Sequence, residues 1–282
     1  MTNNSKKIYF NIGLMKTGTT WLSEILKPQK NIFFTPEKEI HFFEMMKNNK
    51  FRDFDRRYDQ FIKFSQRLKE NENLSSFQKI KKLKWYMKYL NTDTSFDWFD
   101  SLFPQHADGY LCDFSNLSWK ASKELWDEAF SRYASVKTSI ILRSPIERLW
   151  SHTKFHFKIM HGRDFDLDEV EGINFVKKFD FIETSDYEKI LKHLEQNLGL
   201  NNLLFLFQED LKNKPFDSLR RIENHLGIKL DDEPIKNRSS SINATAKIEL
   251  PKWISSNFDY LQEKSLNALE KRKIDYPESW KN

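Results

Sequence analysis

A chain of 282 residues, 39% hydrophobic and 15% aromatic, is long enough to bury a full core, and one large α/β domain is the default at this length. Its 46 basic and 41 acidic residues leave a net charge of +5, a mild excess that suits anionic ligands without indicating nucleic acid. Cys112 is the single cysteine, which excludes an intrachain disulfide, and runs such as Leu203 to Phe207 are too short to span a membrane.

No basic-then-apolar leader precedes the first strand-like run, Ile8 to Ile12, so a soluble cytoplasmic protein with no integral membrane segment is expected. That run feeds directly into Gly13-Leu14-Met15-Lys16-Thr17-Gly18-Thr19-Thr20-Trp21. A buried strand, a glycine-containing turn and a following helix present backbone N–H groups to an anion. Gly13 and Gly18 permit unusual dihedrals, Thr19 and Thr20 add hydroxyls, and Lys16 adds an ammonium group. The stretch is a phosphate cradle. Nucleoside-triphosphatase loops have the same glycine separation, but Thr19 stands where their lysine would be. A glycine turn without a ligand is the plain alternative.

Thr19 to Lys27 reads as a helix stopped by Pro28, and Ile32 to Phe34 as a short strand. Next comes Glu37-Lys38-Glu39-Ile40-His41-Phe42-Phe43. Glu39 and His41 are two apart, so an extended segment points both the same way. Residues 45–100 break the strand–helix rhythm and read as a mostly helical insertion. Within it, Ile80, Leu83, Met87 and Leu90 mark one helix face with lysines opposite. Such a helix can be a solvated face, a membrane-surface helix or a lid over an anionic substrate; the first is the commonplace case.

Tyr110 to Asp113 is a further strand candidate, followed by a helix near Lys120 to Tyr133. Lys137 to Arg143 is the clearest inner strand, and Ser144, Pro145 and Glu147 form a capping box for the helix after it. Arg143, at the C-terminal end of a parallel strand, points into the ligand crevice of such a sheet. Ser151 lies two helical turns further on. A triphosphatase needs an acid at this strand end to hold Mg²⁺; an arginine there argues for metal-free transfer. A second capping box, Ser185 with Glu188, opens a helix with apolar Tyr187, Leu191, Leu194 and Leu198, ended by Gly199. A strand at Leu203 to Phe207, a helix from Pro215 to Leu226 ended by Gly227, and a helix over Trp253 to Arg272 complete the chain. The alternation argues for a parallel sheet covered by helices.

Lys16-Thr17-Gly18-Thr19-Thr20-Trp21 resembles the 5′-phosphosulfate loop of sulfotransferases that use 3′-phosphoadenosine 5′-phosphosulfate (PAPS). Arg143 with Ser151, eight residues later, resembles their 3′-phosphate motif, and Glu39 to Phe43 resembles the Glu-x-His-Phe-Phe segment of the heparan sulfate-type enzymes. The resemblance spans nearly the whole chain apart from 45–100. It implies a P-loop-like three-layer α/β fold, with PAPS as co-substrate, no metal, and a hydroxyl or amine acceptor on a glycan or small metabolite. Carried over by residue, Thr17, Gly18, Thr19 and Thr20 hold the 5′-phosphate and Lys16 stabilises the leaving phosphate. Trp21 stacks on adenine, Arg143 and Ser151 bind the 3′-phosphate, and Arg238 in Asn237-Arg238-Ser239 is a weaker match for completing that site. Glu39 is the base, with His41 supporting it; cytosolic relatives use a histidine, for which His41 and His106 are candidates. The chain departs from the pattern at Asp113-Phe114-Ser115-Asn116, where Phe114 replaces a possible lysine and Asn116 a proline. A kinase-like or triphosphatase reaction and a non-catalytic anion-binding protein stand as the other classes.

Overall fold

Five parallel strands, β1 (Lys7–Asn11), β2 (Ile32–Phe34), β3 (Tyr110–Phe114), β4 (Ser135–Leu142) and β5 (Leu203–Phe207), form one sheet in the order β2-β3-β1-β4-β5. The computed structural model describes residues 5–47, 50–70, 75–91, 94–105, 107–237 and 249–281. Between the first and third strands lie α1 (Thr19–Leu26), α2 (Phe42–Lys47), α3 (Lys50–Glu70), α4 (Ser76–Tyr89) and α5 (Phe96–Ser101). Next come α6 (Lys123–Arg132) before β4, then α7 (Pro145–His161), α8 (Glu169–Lys178), α9 (Phe181–Ser185) and α10 (Tyr187–Asn197). After β5 follow α11 (Gln208–Asn213), α12 (Pro215–Leu226), α13 (Glu233–Lys236), α14 (Lys252–Phe258) and α15 (Tyr260–Lys271).

Successive strand residues face opposite sides of the sheet, and both sides are apolar. On one side Ile8, Phe10, Leu111, Ile140 and Leu142 pack with Phe42, Phe43, Phe99, Trp126 and Leu191. On the other, Tyr9, Cys112, Phe114, Ile141 and Leu206 pack with Leu22, Ile25, Leu219 and Ile222. The result is the three-layer α/β arrangement the alternation predicts. β1 and β4 are neighbours whose onward connections run to opposite flanks of the sheet. The ends of these two strands therefore open the crevice where ligands bind in such sheets.

The structure corrects several local expectations. Ser144 precedes α7 but caps nothing with its side chain; its hydroxyl donates to Gln262 Oε1 at 3.2 Å, while Glu147 pairs with Arg143. Asp186, rather than Ser185, caps α10, accepting from the Lys189 amide at 3.3 Å, because Ser185 Oγ accepts from buried Arg148 at 2.9 Å. The C-terminal helix is two, α14 and α15, meeting at Asp259. In α4 the expected apolar face is not the one that packs: Ile80 is 51% and Met87 76% exposed. Tyr86 and Tyr89 turn inward instead. Aromatic rings bury more area than the aliphatic stripe, and each hydroxyl finds a partner, Glu37 for Tyr86 and Gln60 for Tyr89.

Candidate active site

The chain leaves β1 still paired with β4: Ile12 N donates to Ser139 O at 2.9 Å, and Leu14 N to Ile141 O at 3.2 Å. The loop then turns with positive φ at Lys16 (68°) and Gly18 (99°), and α1 starts at Thr19 with no side-chain cap. The first-turn amides of α1 have no intrahelical acceptor, so this end suits an anion. Thr17 plays a different part from the one its hydroxyl suggests. Buried Oγ1 donates to Leu14 O at 2.7 Å, bracing the loop from within. Trp21, on α1 itself, is half-buried and packs against the core.

The two anion motifs of the sequence meet across the crevice. Lys16 Nζ lies 4.2 Å from the ring centroid of Phe155, on α7. Burial first, then the charges of Arg143 and Lys154, push the Lys16 ammonium down to about 8. Three cations thus crowd one end of the sheet, and mutual repulsion of this kind is relieved by an anionic ligand. Arg143, just past β4, donates to Glu147 Oε2 through Nε (3.2 Å) and Nη2 (2.9 Å). Ser151 is buried on the same helix as Lys154 and Phe155. Arg238 and His106 lie outside the described residues.

A second centre forms where β2 and β3 end. Glu39 Oε2 sits 3.3 Å from His41 Nε2 and accepts from Asn116 Nδ2 at 3.1 Å, while Lys38 Nζ donates to Oε1 at 3.3 Å. Burial raises the Glu39 carboxyl, but the hydrogen bonds and charges of His41 and Lys38 outweigh it and hold the group below its usual range. The expected neighbourhood of Glu39 and His41 is real, but its cause differs. His41 is not extended: its φ is 59°, held by its amide donating to Ser115 Oγ at 2.8 Å. Behind it, burial pushes Asp113 up to about 6, with Oδ1 accepting from Ser115 at 2.8 Å and Oδ2 unpartnered.

The helices of 45–100 clamp this segment. Arg56 on α3 donates to the Glu39 and Ile40 carbonyls at 3.3 and 2.9 Å, and Gln60 donates to Glu37 at 3.4 Å. Lys38 joins the two centres: its Nζ also donates to Thr19 Oγ1 at 3.0 Å and Thr20 Oγ1 at 3.3 Å. Motif spacing assigned no role to Lys38, Asn116 or Lys154. Lys38 adjoins Glu39 in sequence, and Lys154 follows Ser151 by one helical turn, so spacing alone could have flagged these two. Asn116 reaches Glu39 only through the β2–β3 pairing, which no local pattern reveals.

A model of the sulfotransferase family matches residues 9–232. The crystal structure of a sulfotransferase from Alicyclobacillus acidocaldarius is 15% identical, with 99% of this chain and 100% of that chain covered and a TM-score of 0.59. The sulfotransferase domain of the Synechococcus PCC 7002 olefin synthase is 17% identical over 97% of each chain, with a TM-score of 0.56. At these identities the likeness concerns the fold, which in those proteins is P-loop-like. A sequence search of curated proteins returns no match.

Proposed function

The chain belongs to the sulfotransferase family, and from that premise we propose that it moves a sulfuryl group from PAPS to a hydroxyl or amine of a carbohydrate or small metabolite. One observation carries the assignment of roles: the Glu39 carboxylate and the Thr19 and Thr20 hydroxyls share a single ammonium group, Lys38 Nζ. A base and an anion-binding loop therefore sit one side chain apart.

The residues at the sheet end fit an anionic donor. The open first turn of α1 and the repelling cations Lys16, Arg143 and Lys154 all favour negative charge there. When bound, PAPS supplies the activated sulfuryl group. Gly18, Thr19 and Thr20 hold the 5′-phosphate through amides and hydroxyls, and Thr17 keeps the loop in shape. Arg143 and Ser151 take the 3′-phosphate, with the planar guanidinium suited to bidentate contact. Lys16 stabilises negative charge on the bridging oxygen as its bond to sulfur breaks. Glu39 takes the acceptor proton as the acceptor oxygen or nitrogen bonds to sulfur, and His41 and Asn116 aim its carboxylate. The products are adenosine 3′,5′-bisphosphate, the sulfated acceptor and a proton on Glu39 for release to solvent.

Calorimetric titration separates this reading from a triphosphatase. The protein should bind adenosine 3′,5′-bisphosphate, and Arg143→Ala should weaken that binding while hardly changing the affinity for adenosine 5′-monophosphate. Binding of Mg²⁺-ATP without binding of the bisphosphate would overturn it.

A further inference from the structure

Lys38 is largely buried and pairs with one carboxylate, that of Glu39. Its three neighbours within hydrogen-bonding distance are Thr19 Oγ1, Thr20 Oγ1 and Glu39 Oε1. Burial lowers the ammonium's proton affinity and Lys27 opposes the charge from a distance, while Glu39 and Asp113 favour it. Each threonine hydroxyl accepts from Lys38, so each keeps its own hydrogen to donate to an oxyanion. The ammonium group is thus poised where the first turn of α1 meets the base. On this side of the crevice Phe114, the last residue of β3, is buried in the core, so the strand end brings no cation of its own at that position.

We propose that Lys38 is a second donor-binding cation, facing Lys16 across the 5′ end of the donor, and that the same ammonium positions Glu39 for proton transfer. The inference rests on the sulfuryl-transfer reading above and adds a residue to it. Lys16 approaches from the loop and Lys38 from the segment that carries the base, so the donor's 5′ oxygens and the base share one cation. When those oxygens draw on Lys38, the carboxylate loses part of its positive partner and accepts a proton more readily. Donor loading and base strength are then linked through one side chain. Besides Lys38, the groups facing Glu39 are His41 on its own segment, Asp113 and Asn116 from the end of β3, and Arg56 of α3 at its carbonyl.

The test is calorimetry with two probes, adenosine 3′,5′-bisphosphate and adenosine 3′-monophosphate, on wild type, Lys38→Met, Lys38→Gln and Lys38→Arg. A charge-assisted contact to the 5′-phosphate predicts that Lys38→Met weakens the bisphosphate by about tenfold or more and the monophosphate by less than about twofold. Lys38→Gln retains hydrogen-bonding groups for Thr19 and Glu39, so it should fold even if the methionine variant does not, and should show the same selective loss. Lys38→Arg should recover part of the affinity. Equal losses for both probes, or none, overturn the proposal. The link to the base has its own readout: in Lys38→Gln the acid limb of kcat/KM for the acceptor should move to higher pH, and an unmoved limb would refute it. If wild type does not bind the bisphosphate, the sulfuryl-transfer reading itself falls; if it binds and the lysine variants bind equally well, only the role of Lys38 falls.

Discussion

The Tyr187 hydroxyl donates to the Arg143 carbonyl at 2.6 Å and accepts from the Arg143 amide at 3.2 Å. A helix from the second half of the chain thereby closes the end of β4 and fixes the backbone that aims the guanidinium. Tyr187→Phe leaves both backbone groups short of a partner. It should cost about 1–3 kcal/mol of unfolding free energy, measured by urea titration. It should also weaken adenosine 3′,5′-bisphosphate more than adenosine 5′-monophosphate, because the displaced residue is the one assigned to the 3′-phosphate.

Lys16 sets a pH dependence whose sign follows from its neighbours. Burial and the charges of Arg143 and Lys154 bring its ammonium down to about 8, so the free protein loses that charge as pH rises through this value. A ligand that needs the cation binds fully below it and progressively less above it. Affinity for the bisphosphate should fall by up to about tenfold per pH unit above about 8. Lys16→Arg keeps its charge throughout and should flatten the curve. A flat wild-type profile would mean that Lys16 does not face the ligand.

His41 and Glu39 can be told apart as the base. The hydrogen bond and charge of His41 help hold the Glu39 carboxyl low, so His41→Ala should let it rise. If Glu39 is the base, the acid limb of the rate profile moves to higher pH while the plateau falls only modestly. If His41 is the base, the plateau itself falls by roughly 10²–10⁴-fold. Rate–pH profiles of the single variants decide between them.

Gly13 ties the donor loop to the residue that aims Glu39. Its φ is +137°, and a Cβ there would lie 2.9 Å from the Asn116 carbonyl oxygen, which is backbone and cannot swing aside. Gly13→Ala should therefore lower stability by about 1–3 kcal/mol, read from denaturant unfolding. Its turnover should fall further than the remaining folded fraction explains, because Asn116 shifts with the clash.

The sheet was legible because both faces of its strands are apolar and its punctuation is strong: Gly227 ends α12, and Ile140 to Leu142 sit in the middle of the core. The loop and Arg143 could be read because each lies beside the strand that positions it. Details decided by distant partners could not. Ser185 looked like a cap, but Arg148 takes its hydroxyl, and Glu147 looked like half of a capping box, but Arg143 holds it. The Ile80 to Met87 stripe obeyed helical periodicity, yet Glu37 and Gln60 offered hydroxyl partners to the tyrosines on another side. Lys38 was hidden differently. Its neighbours Thr19 and Thr20 are nearly 20 residues away, and only the packing of the segment after β2 against α1 brings them within reach.

In the proposed reaction Glu39 takes the proton from an acceptor as sulfuryl moves onto it. Its most direct test is transfer from sulfur-labelled PAPS to a panel of glycans, phenols, lipids and amines, with wild type and Glu39→Gln compared at equal bisphosphate occupancy. Wild type should label at least one acceptor class, and Glu39→Gln should lose about 10²-fold or more of that rate while binding the bisphosphate at least as well. Equal labelling by the two proteins would contradict the account.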